Sequence, residues 1–187
     1  MYGMVNAAVR GFVLKNFDEA TWSRIHTRAG VDSEFISMQA YDDDITYGLV
    51  AAAHVELGLD VQAILHGFGQ YWVSDVATAS YAELMAKTGS SFVDFVKNLD
   101  HLHERIRVTF PNYRPPSFRV KEVDGSTVQI DYYSHREGLL EFVDGLLQGL
   151  ADHYNETIAI KHLPDDSHPM PCKRMLVIHG VKKAAHG

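Results

Sequence analysis

His103 stands on the apolar side of a predicted helix, where a histidine has to satisfy its ring nitrogens away from water. It completes a stripe with spacings of three and four between Leu99 and Ile106, whereas His101 falls on the polar side. The apolar members of the stripe are Phe92, Phe95, Val96, Leu99, Ile106 and Phe110. Either His103 bonds a backbone carbonyl and packs, or a ring nitrogen binds a metal such as a haem iron. The stripe alone leaves both interpretations open.

A second group of polar side chains is predicted at the end of a strand. Strict alternation along Tyr132-Tyr133-Ser134-His135-Arg136 places Tyr132, Ser134 and Arg136 on one face. A phenol, a hydroxyl and a guanidinium can all donate hydrogen bonds to carboxylates, and arginine can do so bidentately. These residues would suit the two propionates of a haem. An exposed strand end with ordinary polar residues would look the same.

The elements that position these residues form a helical first part and a second part built on strands. Helices are predicted over about 5–14, 18–29, 42–57, 61–72, 81–88, 92–110 and 138–154. Strands are predicted near 118–123, 128–132, 157–163 and 173–178. The expected fold class is α+β, with a four-stranded, mostly antiparallel sheet and one inserted helix. We expect one domain over 1–187, with a helical subdomain of about 1–110 and a sheet-containing subdomain of about 117–180.

Composition excludes several classes of partner. The formal net charge is −7 and no basic stripe is present, so nucleic acid is not expected to bind. No apolar run approaches the ~20 residues that span a bilayer, and the N-terminus lacks a signal-peptide pattern. Cys172 is the single cysteine, which rules out an internal disulfide and favours a reducing cytoplasm. The 11% of aromatic residues can line a pocket for a planar ligand.

Several segments resemble the H-NOX family, the haem-nitric oxide/oxygen binding domains of the stand-alone bacterial type. Tyr132-x-Ser134-x-Arg136 is similar to the family's propionate-binding signature, and 98–103 resembles its proximal helix with His103 at the ligand position. Arg114-Pro115-Pro116 resembles the segment whose second proline distorts the porphyrin. Three further segments also resemble sequences of this family: residues 1–6, 42–44 and 69–73. The resemblance implies haem b buried between the helical part and the sheet.

The resemblance also suggests which gas is bound. Oxygen-binding members place a tyrosine on the helix after the signature, and the matching residue here is Phe142, which has no donor. The chain therefore looks like a nitric oxide sensor, also able to bind carbon monoxide, that excludes oxygen. Val5, Val9 and Trp72 are expected in the distal wall, although ordinary core packing explains them too. The indole of Trp72, beside Tyr71, leaves an oxygen-binding sensor as the alternative.

By the same resemblance, binding of nitric oxide opposite His103 is expected to break the iron–histidine bond, relieve the pressure of Pro116 and shift the helix that carries His103. The partner is then a separate histidine kinase or a diguanylate cyclase or phosphodiesterase, because the chain shows no kinase or cyclase segment. A haem enzyme of peroxidase or oxygenase type is a less favoured alternative. Its distal wall would lack an acid–base residue. A haem-free interaction module is a third.

Two smaller features complete the sequence-based expectations. Asp43 or Asp44 could pair with Arg136 and hold it toward the haem, or could simply favour a helix N-terminus. A cluster near the C-terminus could bind a second metal, although loop polarity also explains it. Its members are His162, Asp165, Asp166, His168 and Cys172. The last six residues are expected to be a frayed tail.

Overall fold

The computed structural model describes residues 1–31, 34–110, 112–164 and 172–181. The helices are α1 (Gly3–Asn16), α2 (Glu19–Arg28), α3 (Asp43–Leu57), α4 (Val61–Tyr71), α5 (Thr78–Ser80), α6 (Ala82–Thr88), α7 (Phe92–Thr109) and α8 (Leu140–His153). A π-helical segment, Trp72–Ala77, joins α4 to α5. The strands are β1 (Ser117–Asp124), β2 (Thr127–Tyr133), β3 (Glu156–His162) and β4 (Cys172–Val181). Asp165, Asp166, His168 and the predicted tail lie outside the described residues.

Side-chain caps begin the helices where the sequence places them. The carboxylate of Asp18 accepts from the backbone N–H of Thr21, and Ser91 Oγ accepts from the N–H of Asp94 at the start of α7. Gly58 ends α3 in the left-handed conformation, with φ of 64°. The expected helical boundaries are therefore confirmed to within a residue or two here.

The strands form one antiparallel sheet in the order β1-β2-β4-β3. The face toward the helices carries buried residues of β1, β2 and β4, whereas the other face is more exposed. The buried residues of this face are Phe118, Val128, Ile130, Tyr132, Met175 and Val177. The predicted α+β class and four-stranded antiparallel sheet are confirmed.

Two hydrophobic cores lie on either side of α8. One contains the sheet, the first half of α7 and residues such as Val143 and Leu147. The other joins α1 to α4, and Phe142 packs against it from α8. Neighbouring positions of α8 thus face different cores, so this helix links the helical part to the sheet.

Glycines allow α4 and α8 to approach closely. A Cβ atom at Gly69 would collide with the carbonyl of Phe142, and one at Gly145 would collide with the carbonyl of His66. No larger residue fits at either position without moving a backbone. The register of these two helices is therefore fixed by the absence of side chains.

Some element boundaries differ from the sequence-based expectation. The helix expected from Gly138 begins at Leu140, because Gly138 is left-handed with φ of 72°. The helix of His103 ends at Thr109 instead of Phe110, which precedes a proline and has left the helical region. The last strand runs to Val181, beyond Ile178, because β3 supplies pairing partners for that end. The π-helical segment at Trp72 was not anticipated.

In the described ranges, no single helix is long and apolar enough to cross a membrane, although α3 together with Val61–Ser80, bent by 114°, meets the length and composition test.

Candidate functional site

The side chain of His103 lies against the segment that follows α7. Its Nδ1 is 3.2 Å from the backbone carbonyl oxygen of Pro116. A carbonyl can only accept, so the ring is protonated on Nδ1, and Nε2 keeps its lone pair. Burial lowers the pKa of His103, although the Pro116 carbonyl acts in the opposite direction. A neutral imidazole with a free Nε2 lone pair is the form that ligates iron.

Aromatic rings surround His103. The centroids of the Tyr113 and Phe118 rings are each 6.0 Å from its ring, and Tyr132 lies 5.2 Å from Phe118. Burial raises the pKa of Tyr113 to about 12, so its phenol is neutral. The predicted propionate residue Tyr132 is thus connected to His103 through Phe118.

Asp100 ties α7 to the start of β1. Its two carboxylate oxygens accept from the backbone N–H of Phe118 at 2.7 Å and from Ser117 Oγ at 2.7 Å. Asp100 lies three residues before His103, so the two side chains share a side of the helix. Together they fix this part of α7 to residues 116–118.

Arg136 is held in place from two sides. Its Nε donates to Asp43 Oδ2 at 2.7 Å, Nη2 donates to Asp43 Oδ1 at 3.3 Å, and Nη1 donates to the carbonyl of Arg114 at 2.8 Å. These bonds use three of the five guanidinium N–H groups, which leaves two for a bound carboxylate. Of the two aspartates suggested by the sequence, the structure pairs Asp43 with Arg136.

Ser134 lies between the other two members of the signature. Its hydroxyl accepts from the backbone N–H of Arg136 at 3.0 Å. Burial raises the pKa of Tyr132, and the nearby Ser134 hydroxyl acts in the opposite direction but more weakly. The structure therefore brings the three predicted residues together with neutral and cationic donors.

The predicted distal residues gather in the helical core. Val9 is buried, and Val5, Trp72 and Phe142 pack against the same cluster. Phe68 connects the last two, because its ring stacks on Phe142 at 5.2 Å and meets Trp72 edge-on at 6.3 Å. Leu99, on α7, belongs to the sheet-side core.

A cavity of about 480 Å³ opens beside His103, between α7 and residues 113–117. Its walls include Asp100, Glu104, Arg107 and Arg114 in addition to His103 and Pro116. These charged walls differ from the apolar lining that a porphyrin needs. The side of His103 that faces Glu104, Arg107 and Arg114 is therefore lined by charged groups.

In the described ranges, no group of three or more His, Cys, Asp and Glu side chains could hold a metal ion. His162, one of the residues that could have formed a second metal cluster, contacts Asp144 Oδ2 through Nε2 at 2.7 Å. Cys172 is a free thiol at the start of β4. A single imidazole such as His103 is nevertheless the usual protein ligand of a haem.

Sequence patterns did not identify Asp100, Tyr113 or Phe118 as site residues. Asp100 looks like part of a charged helix surface, and Phe118 looks like an ordinary core position. Tyr113 lies within the helix break, where no periodicity exists. Its place next to the Pro115-Pro116 pair was the one available signal.

Comparison with known proteins agrees with this geometry. The family model described as "Haem-NO-binding" (HNOB) matches residues 2–162. The soluble guanylate cyclase gcy-31 of Caenorhabditis elegans is 24% identical over 178 residues, which are 95% of this chain and 25% of that protein. Soluble guanylate cyclase gcy-32 of the same organism is 30% identical over 155 residues, 81% of this chain and 23% of the relative. The chain thus spans about a quarter of the length of these relatives.

Solved structures share the fold. An H-NOX protein from S. oneidensis superposes with a TM-score of 0.86 at 18% identity, covering 100% of both chains. An H-NOX protein from K. algicida gives 0.83 at 20% identity, covering 96% of this chain and 97% of that one. Because the family model covers most of the sequence, the chain belongs to the haem–NO-binding, or H-NOX, family of haem-based gas sensors.

Proposed function

We propose that this chain binds haem b with His103 as the protein ligand and senses nitric oxide. The observation that carries the proposal is the contact between His103 Nδ1 and the Pro116 carbonyl. It selects the tautomer whose Nε2 can bind iron. When bound, the haem would supply a ferrous iron that takes up a diatomic gas.

The Pro116 carbonyl gives the imidazole both orientation and basicity. A carbonyl that accepts from Nδ1–H holds the ring in one plane and strengthens Nε2 as a donor. The depressed pKa of His103, which results mainly from burial, keeps the ring neutral at neutral pH. Pro116 also limits the backbone conformations of its own segment. Movement of His103 is therefore communicated directly to residues 114–117.

Arg136, Ser134 and Tyr132 would bind the propionates. Asp43 balances the charge of Arg136 and aims its guanidinium, while Tyr132 and Ser134 provide neutral hydroxyls. Charge-assisted hydrogen bonds from arginine to carboxylates are the strongest interactions available to these groups. The Asp43 and Arg136 side chains that support this site are partly buried, and their ion pair links α3 to the segment after β2.

Selectivity for nitric oxide is supported by Phe142. Dioxygen is held weakly by ferrous haem where no hydrogen-bond donor is present, whereas nitric oxide and carbon monoxide need none. Phe142 and Phe68 form a stacked pair and offer no donor. Trp72, at the edge of Phe68, carries the one indole N–H in this group. An oxygen-binding sensor is the second candidate for that reason.

The same proposal includes a signalling partner and a setting. The chain acts as one non-catalytic, cytoplasmic domain over 1–187, and α7 transmits the state of His103 to a separate histidine kinase, diguanylate cyclase or phosphodiesterase. The relatives gcy-31 and gcy-32 are soluble guanylate cyclases, and the matching segment is about a quarter of their length. Binding of a ligand that favours one of two conformations is sufficient for such a switch.

Visible spectra of the haem-loaded protein, reduced without air, test the proposal. We expect no change on first contact with air and conversion to a five-coordinate nitric oxide spectrum, which reports loss of the bond to His103. A stable oxygen complex would favour the second candidate and implicate Trp72. A protein that takes up no haem would contradict both.

A further inference from the structure

The first turn of α7 is attached to the sheet side by side chains from three other elements. Glu156, at the start of β3, accepts from the backbone N–H of Phe92 through Oε1 at 3.1 Å. Its Oε2 lies 3.4 Å from Nδ1 of His179 on β4. Tyr154, just after α8, donates from its hydroxyl to the carbonyl of Gly89 at 2.7 Å.

Packing strengthens this attachment. Phe92 is fully buried and its ring lies 6.2 Å from that of His179, while Phe95 lies 6.3 Å from Tyr154. Glu156 is among the few buried charged side chains in the described ranges. A carboxylate at a helix N-terminus also interacts favourably with the unpaired N–H groups and the helix dipole. A buried carboxylate without such partners would be destabilising. Glu156 is therefore bound specifically to the N-terminal end of α7.

The other end of α7 has fewer buried side chains, and its main contact is the edge-on packing of the cap residue Phe110 on Tyr2 at 4.8 Å. From Glu104 to Thr109 all residues are exposed except the half-buried Ile106, and Val108 is 85% exposed. Asp100 and His103 make the last side-chain bonds from α7 to the segment 116–118. Between His103 and Phe110, Ile106 is therefore the one residue of α7 with a half-buried side chain, and few contacts hold these turns in position.

We infer that Glu156 is a positioning residue that fixes the first turn of α7 as a pivot, so that release of His103 displaces the C-terminal turns, 104–109, most. The inference rests on the proposed function for its trigger, but the anchor itself is a property of the protein without any gas. A fixed first turn and a poorly attached last part convert a change at His103 into a swing of the helix end. The signal then appears on the exposed surface of Glu104 to Thr109.

Hydrogen exchange along α7 tests the pivot, with Glu156→Ala as the main variant and Glu156→Gln as the conservative one. Without gas, Glu156→Ala should raise exchange in 92–96 about ten-fold, since a buried N–H loses a charged partner, and leave 104–109 unchanged. Glu156→Gln, which keeps an oxygen for the Phe92 N–H, should restore most of the protection. Glu83→Gln, on the exposed side of α6, is the matched control and should change neither segment.

Nitric oxide added to the haem-loaded protein provides the second measurement. In the unchanged protein, exchange should rise in 104–109 and stay constant in 92–96, and in Glu156→Ala it should rise in both. Equal increases along the whole helix of the unchanged protein, or a Glu156→Ala variant with the original pattern in 92–96, would overturn the pivot. If nitric oxide does not bind, the proposed function fails, and the gas-free measurement still decides the anchor.

Discussion

Asp43 and Arg136 are 93 residues apart in the sequence and form a two-bond ion pair, with N–O distances of 2.7 and 3.3 Å. The pair connects the first turn of α3 to the segment after β2. It therefore joins the helical part to the sheet at the predicted propionate site. Asp43 also accepts from the chain's N-terminal ammonium group at 2.5 Å.

Asp43→Asn should weaken both stability and haem retention. Burial raises the pKa of Asp43, but the bonds from Arg136 and the N-terminus outweigh it and hold the pKa below its ordinary value. A lowered pKa contributes stability above the unfolded value of about 4 that is lost as the pH falls through the folded value. We expect a loss of about 1–2 kcal/mol at pH 7 that disappears in strong acid.

Urea unfolding of both proteins from pH 7 to pH 3 measures this difference. Asp44→Asn, at the next position of the same helix turn, is the control and should leave haem retention unchanged. A difference between Asp43→Asn and the unchanged protein that is independent of pH would contradict the role of the ionised pair.

Asp100→Ala should loosen α7 from β1. The change leaves the backbone N–H of Phe118 without its acceptor, and a lost partner of this kind destabilises by about 1–3 kcal/mol. Glu104→Ala, on the exposed side one turn later, should change stability by less than about 0.5 kcal/mol. Thermal unfolding compares the stabilities of the two variants. Equal losses of stability would show that Asp100 does not hold α7 to β1.

Gly145→Ala should separate α4 from α8. Alanine is the better helix former by about 1 kcal/mol, but its Cβ at this site would meet the backbone carbonyl of His66. We expect a net destabilisation of about 1–3 kcal/mol, as for other overpacked sites. Gly48→Ala, on α3 with open space around it, should stabilise by about 0.5–1 kcal/mol. Stabilisation by both substitutions would exclude the close approach.

Phe142→Tyr should allow the haem-loaded protein to bind oxygen stably as well as nitric oxide. The new hydroxyl would supply the donor that the stacked pair of Phe142 and Phe68 lacks, so a ferrous oxygen complex should persist in air for much longer. Leu146→Tyr, one turn later on α8, places a hydroxyl elsewhere on the helix and is the control. If Phe142→Tyr behaves in air like the unchanged protein, Phe142 does not line the gas site.

Local patterns predicted much of this structure, and tertiary contacts explain what they missed. The stripe around His103 and the alternation at Tyr132 are both set by neighbours within a few residues. Glu156 and Tyr113 acquire their roles from partners distant in the sequence, which no periodicity encodes. The longer last strand likewise depends on pairing with β3.

Replacement of His103 by glycine, with and without added imidazole, tests the central claim most directly. His101→Gly is the matched control, because His101 is exposed on the same helix and loses a similar helix propensity. We expect that His103→Gly loses the iron–histidine spectrum, that imidazole restores it, and that His101→Gly is unchanged. An unaltered spectrum in His103→Gly, or an equal loss in both variants, would contradict ligation by His103.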